Sequence, residues 1–168
     1  MSISEAQIKG APIQAKSDNS SNNIQSDFDF LKGNWIVYNS ESALAAYNKY
    51  TVFANGNGVL EQYESKEGAI SVGLFYIDPV SGAWMHTWVS NENKSINSIG
   101  TRREASDKPL NKHLYYFYGE NVVNGKKVKD RFVFNQISRD TLQKAYEVSS
   151  DAGITWDVEY KLNFKRIN

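Results

Sequence analysis

Trp84, His86 and Trp88 alternate with Met85, Thr87 and Val89 in one short stretch. In an extended chain successive side chains point to opposite faces, so the imidazole would lie between two indoles on one face of one strand. A near-neutral titratable group in that setting can serve as acid, base or hydrogen-bond donor to a ligand. The plainer alternative is a structural histidine bonded to a nearby carboxylate or carbonyl. Two carboxylates are candidate partners in catalysis: Glu61, in phase with Val59 and Tyr63, and Asp130, in phase with Phe132 and Phe134. An inward charge needs a partner, and for Glu61 the candidates are tyrosines or Arg131; otherwise each is a solvated strand-face charge. Tyr115, Tyr116, Phe117 and Tyr118 form a continuous aromatic run, of which Tyr116 and Tyr118 are expected to face inward. With Trp84, His86, Trp88, Tyr63, Phe132, Phe134, Tyr146 and Tyr160 they make up the expected ligand-facing set. Aromatic walls with a few hydroxyls suit a planar or isoprenoid-like molecule, and they suit an ordinary packed core equally well.

Other chemistries find little support. His86 and His113 are the only two histidines and fall in different expected strands, so no metal or other cofactor is expected. With Cys 0, thiolate chemistry and disulfides are excluded. Lys+Arg 19 balances Asp+Glu 19, which removes the broad basic footprint of a nucleic-acid binder. Gly56 and Gly58 are hairpin glycines with no helix after them, not a phosphate loop, and no serine sits in a nucleophile elbow. No apolar run approaches the roughly 20 residues of a membrane helix. The start of the chain lacks a secretory pattern, so the cytoplasm is the expected compartment.

The elements that must position these residues are strands. Aromatic residues make up 13% of the 168 residues, a bias toward half-buried pleated surfaces. Residues 1–26 are polar, rich in Ser and Asn and without a periodic face, and are expected to be a disordered tail. From residue 27 to 168 one domain is expected, with strands near 33–39, 47–54, 59–65, 69–78, 84–90, 95–104, 113–120, 127–136, 141–149 and 156–165. Asn55-Gly56-Asn57-Gly58 and Pro79-Val80-Ser81-Gly82 supply hairpin turns. Ser40 to Ala46 offers a single helical turn. In the last strand Trp156, Val158, Tyr160, Leu162 and Phe164 alternate with polar residues, predicting one dry and one wet face. About ten antiparallel strands at short spacing predict an all-β, up-and-down barrel, with Phe28-Asp29-Phe30-Leu31 as a short N-terminal helical plug. A ten-stranded barrel is wider than its own side chains readily fill, so it tends to hold a cavity.

Gly33-x-Trp35 opening the first strand, with Arg166 closing the last, resembles the lipocalin and calycin signature. That resemblance implies an arginine lying over the indole face, a contact worth roughly 0.5 to 2 kcal/mol. The order Phe28-Asp29-Phe30-Leu31-x-Gly33-x-Trp35, Tyr76-Ile77-Asp78-Pro79, Gly82-x-Trp84-x-His86-x-Trp88-Val89 and Ser149-x-Asp151-x-Gly153-x-Thr155-Trp156 is similar to the bacterial DUF1579-like barrels. It departs from their pattern at Ala152 and Ser90, where that family commonly has Gly and Asp. The family carries no agreed activity, so the resemblance implies a fold and no catalytic residue. Related ten-stranded barrels include haem-binding nitrobindins, but their Gly-x-Trp-x-Gly-x-Gly opening is absent here. The expected function is carriage or sensing of a small hydrophobic ligand by a monomer or homodimer. The alternatives are a cyclase or isomerase using His86 with Glu61 or Asp130, and a barrel filled by its own side chains.

Overall fold

The computed structural model describes residues 28–91, 103–105, 114–123 and 125–167. The expected tail, most of the strand at 95–104, the 106–112 loop and His113 lie outside the described residues. The chain is all-β: β1 (Gly33–Tyr38), β2 (Leu44–Phe53), β3 (Gly58–Ser65), β4 (Ile70–Ile77), β5 (Trp84–Ser90), β6 (Arg103–Ala105), β7 (Leu114–Val123), β8 (Lys126–Ser138), β9 (Thr141–Ser149) and β10 (Asp157–Ile167). Every strand pairs antiparallel with its neighbours in sequence, and β1 pairs with β10 to close the barrel. Among the described residues β6 is the shortest strand, matching Met85 and His86 on one side and Phe117 and Tyr118 on the other. No helix among the described residues is long and apolar enough to cross a membrane.

Local chemistry explains the hairpins. Between β2 and β3, Asn55 takes φ 54° and Gly56 φ 92°, the left-handed conformations that asparagine and glycine tolerate best. Asp78 closes the next turn by accepting from the Ser81 hydroxyl at 2.7 Å, and Gly82 has φ 71°.

Two local expectations are corrected. The helical turn expected at Ser40 to Ala46 is absent: the Asn39 side chain accepts hydrogen bonds from the Glu41 and Ala43 amides at 3.0 and 2.9 Å. The chain therefore reverses tightly, and Leu44 and Ala46 are already paired with Tyr38 and Val37. The helical plug is a single 3-10 turn, Asp29–Leu31, with no α-helix among the described residues.

That turn packs the core at one end of the barrel. Phe28 and Leu31 are buried, and the Phe28 ring lies 4.7 Å from Trp84, 4.8 Å from Tyr115 and 5.7 Å from both Phe75 and Phe117. Trp35 is buried beside them and donates its indole N–H to the Leu31 carbonyl at 2.7 Å. The Arg166 guanidinium sits 4.1 Å over the Trp35 ring. It donates to the carbonyls of Phe30, Lys32 and Arg139 and to the Asp140 carboxylate. A Cβ on Gly33 would meet the guanidinium at 2.7 Å, and Gly33 has φ 128°, so only glycine fits there.

One arginine thus ties the turn, the first strand and the β8–β9 hairpin together. Arg166→Ala is expected to lower stability by about 2–4 kcal/mol, from the lost cation–π contact and the carbonyl and carboxylate bonds. A urea midpoint equal to the wild type's would show that the clamp carries no stability.

Candidate functional site

Five side chains from four strands meet in the barrel interior. Glu61, at mid-β3, is fully buried, as is His86 on β5; Asn48 and Tyr50 on β2 and Lys144 on β9 are buried with them. Strand alternation aims them at one another: Tyr50 stands opposite Glu61, and both belong to the face that also carries Ala46 and Val59. Glu61 Oε1 accepts from Asn48 Nδ2 and from the Tyr50 hydroxyl, each at 2.8 Å. Lys144 Nζ lies 3.5 Å from the same oxygen. Glu61 Oε2 faces His86 Nε2 at 3.8 Å.

The carboxylate has room because position 73 is glycine. Gly73 is paired with Glu61 on one side and Trp88 on the other. A Cβ there would lie 2.8 Å from Glu61 Oε2 and 3.1 Å from the Trp88 ring, so any larger residue would displace the acid or the indole.

Charge around the site is set by these contacts. Burial pushes the Glu61 carboxyl up, but the Lys144 ammonium, His86 and the Tyr50 hydroxyl outweigh it and hold it at about 2 against an ordinary 4.5. Glu61 is therefore an anion at neutral pH and a poor proton acceptor. Burial, reinforced by the Glu61 charge, raises the Tyr50 hydroxyl well above its ordinary 10.0, so it stays a donor.

Aromatic rings enclose the cluster. His86 stacks on Phe75 at 4.3 Å, with Phe117, Phe132 and Phe134 at 5.6, 5.5 and 6.1 Å. The Lys144 ammonium lies 4.5 Å from the Trp88 ring centre, 4.8 Å from Phe132 and 5.2 Å from Phe134. Farther from the 3-10 turn, Tyr63 packs on Trp88 at 5.7 Å and Tyr146 stacks on Tyr160 at 5.5 Å. Buried Asp130 accepts from the Tyr146 hydroxyl at 2.9 Å, and that hydroxyl accepts from Asn121 at 3.1 Å.

Of the residues singled out in the sequence, the structure brings Glu61, His86, Trp88, Phe132 and Phe134 together. Asp130, Tyr146 and Tyr160 form a second group joined through Phe132, whose ring is 5.2 Å from Tyr146. Trp84 belongs to the packed end against Phe28. Tyr116 and Tyr118 do not face inward: Tyr115 and Phe117 take that phase, and Tyr116 and Tyr118 stack on each other at 6.0 Å on the outer wall. Arg131 is also outside, 4.9 Å from Tyr116 and 4.1 Å from Trp156, with Glu147 as its partner at 2.6 Å, so the cation at Glu61 is Lys144 instead. Trp156 precedes β10, and a register shift between Val158 and Tyr160 breaks the expected dry face: within the strand Leu162 and Phe164 are shielded, whereas Val158 and Tyr160 are 47% and 42% exposed.

Sequence reasoning missed Asn48, Tyr50, Gly73 and Lys144. Phase was the available signal: Lys144 lies between Leu142 and Tyr146, and Asn48 between Ala46 and Tyr50. Among the described residues no group of three or more His, Asp or Glu could hold a metal ion. A groove of about 540 Å³ lies over β1 to β4 and the end of β10, lined by Tyr47, Lys49, Gln62, Glu64, Ile70 and Val72 among others; it reaches Asn48 and Tyr63 but neither Glu61 nor Lys144.

Fold and site together define an antiparallel β-barrel with a charged, hydrogen-bonded cluster set in an aromatic interior. No protein-family model and no curated protein matches the sequence.

Glu61 carries a pH signature. Its carboxyl is lower in the folded chain than in the unfolded one, so its stabilisation is complete above about pH 4.5 and is lost as pH falls toward 2. The full effect is on the order of 3 kcal/mol. Glu61→Gln also leaves Lys144 buried beside a neutral amide, and is expected to cost about 3–5 kcal/mol at pH 7 and distinctly less at pH 3. Urea unfolding at both pH values checks this, and an equal gap at the two would refute it.

Proposed function

We propose that this barrel binds one small, largely apolar ligand within its interior, as a carrier or sensor. The observation behind this reading is the unequal filling of the inward face. Toward the 3-10 turn the interior is closed by Phe28, Leu31, Trp35, Phe75, Phe117, Phe134 and Phe164, all essentially inaccessible. Toward the other end Tyr63, Trp88, Tyr146 and Leu162 share the inward phase yet are only half-buried, and Tyr160 is 42% exposed. Inward rings that solvent still reaches mark space the chain's own side chains leave unfilled. Such space, walled by aromatics over a few convergent polar groups, is the ordinary form of a small-molecule site. The ligand would stack between Trp88, Tyr63 and Tyr146 and direct a polar group toward Glu61, Lys144 and His86.

A second reading has one specific observation in its favour, the 3.8 Å approach of His86 Nε2 to Glu61 Oε2. A carboxylate held ionised beside an imidazole fixes the ring's orientation, as in acid–base catalysis. In an isomerase or cyclase built this way His86 would exchange the proton and Glu61 would hold the ring.

Native mass spectrometry of the full chain, followed by extraction under denaturing conditions, tests the first reading. One apolar molecule per chain is expected. A clean apo mass that persists against fatty acids, retinoids and tetrapyrroles would overturn it. With a ligand in hand, His86→Ala separates the two: a carrier loses affinity modestly, whereas a catalyst still binds and loses roughly 10² to 10⁴ in rate.

A further inference from the structure

We infer that Lys144 is a covalent attachment point, forming an imine with an aldehyde on the apolar ligand while Glu61 serves as counter-charge to the resulting iminium. This rests on the ligand-binding reading above and names the functional group that the ligand presents.

A buried lysine is a costly way to fill a barrel. Lys144 is 3% exposed, and a buried ion pair is commonly no more stabilising than apolar residues of similar volume. Nor is the pair built for tightness. Lys144 Nζ stands 3.5 Å from Glu61 Oε1, where a close N–H···O⁻ bond measures about 2.7–2.9 Å. Glu61 Oε1 instead receives its two short bonds from Asn48 and Tyr50. The amine end lies among the faces of Trp88, Phe132 and Phe134, and Trp88 is one of the half-buried rings of the unfilled region. Its nitrogen is therefore at the boundary between the packed cluster and the space assigned to the ligand.

The chemistry balances within these residues. Glu61 lies against Lys144 through one oxygen and His86 through the other, so the proton lost from the ammonium ends on the imidazole while the carboxylate stays ionised between them. The neutral amine attacks the aldehyde carbon, a C–N bond forms, and the carbonyl oxygen takes a proton from the nitrogen to give the carbinolamine. The C–O bond then breaks, and the hydroxyl departs as water with the proton returned by His86. In sum, ammonium plus aldehyde becomes iminium plus water, with no oxidant or reductant consumed. One positive charge is buried before and after, so Glu61 neutralises the same charge throughout. The flat, delocalised cation suits the surrounding ring faces, and the bound ligand, by filling the space that solvent reaches, disfavours hydrolysis back to the aldehyde.

Naphthaldehyde is the test probe and naphthalenemethanol its unreactive counterpart. The full-length protein is incubated with the aldehyde and sodium cyanoborohydride, then digested and mapped by mass spectrometry; binding of the alcohol is read by native mass spectrometry. The expected result is one reduced adduct per chain, at Lys144, exceeding that at any other lysine by at least about tenfold, with the preference abolished in urea. Lys144→Arg should remove the adduct, and mapping of the wild type decides the question even if that variant does not fold. Binding of the alcohol without an adduct at Lys144, or with adducts spread over exposed lysines, overturns the inference and leaves the ligand reading standing. Absence of both alcohol binding and adduct overturns both.

Discussion

A carboxylate removed from water must be met by donors on every side, and Glu61 imposes that requirement on the middle of the barrel. It accounts for an asparagine and a tyrosine in β2, a glycine in β4, a histidine in β5 and a lysine in β9, none of which the packing of an apolar core would choose. Burying the charge is tolerable only with all of these in place. Each is held at its angle by the barrel's register, so cluster and barrel specify one another. A one-residue slip of β9 would send Lys144 to the outer wall and Ala145 or Gln143 inward, leaving Glu61 without its cation.

The interior is divided along its length. At one end the 3-10 turn and nine-tenths-buried aromatics make a solid floor, clamped from outside by Arg166. Above that floor lies the charged cluster, and beyond it rings that solvent partly reaches. Rigid support beneath a polar cluster is what binding with defined orientation requires, because groups that must meet a ligand have to be placed before it arrives.

Much of the architecture was legible because its signals are local. Asn55-Gly56 and Asp78 to Gly82 place the hairpins, and alternation in segments such as Leu162 to Phe164 gives the strand phase. The strand at 84–90 has the same bounds in sequence reasoning as in the structure. The phase that Glu61 and Asp130 share with apolar neighbours was legible, but it left an inward charge and a solvated strand-face charge both open. Where alternation is absent, phase was not legible. Tyr115 to Tyr118 are aromatic at every position, and only the pairing of Phe117 with Phe132 across β7 and β8 fixes which face looks inward. Lys144 was passed over for the opposite reason: lysine in a strand reads as solvated, and only the distant Glu61, 83 residues away, makes its burial sensible. Trp156 was misassigned because the alternation of β10 continues into a turn that has already left the sheet.

Barrel closure has a consequence in time as well as in space. The contact between Lys32 and Arg166 spans 134 residues, and closing a loop of that length costs about 3 kcal/mol more than closing a hairpin of a few residues. Hairpins such as β8–β9 can form as soon as they are made, while β1 must wait with an unpaired edge until β10 has left the ribosome. During that interval the chain is an open, curved sheet with two bare margins. The later margin is defended by its own composition: Asp157, Glu159, Lys161 and Lys165 are all exposed along β10, and charges of that kind discourage a stray strand from docking on an unpaired edge. The strand that seals the barrel is thus also guarded against sealing to the wrong neighbour.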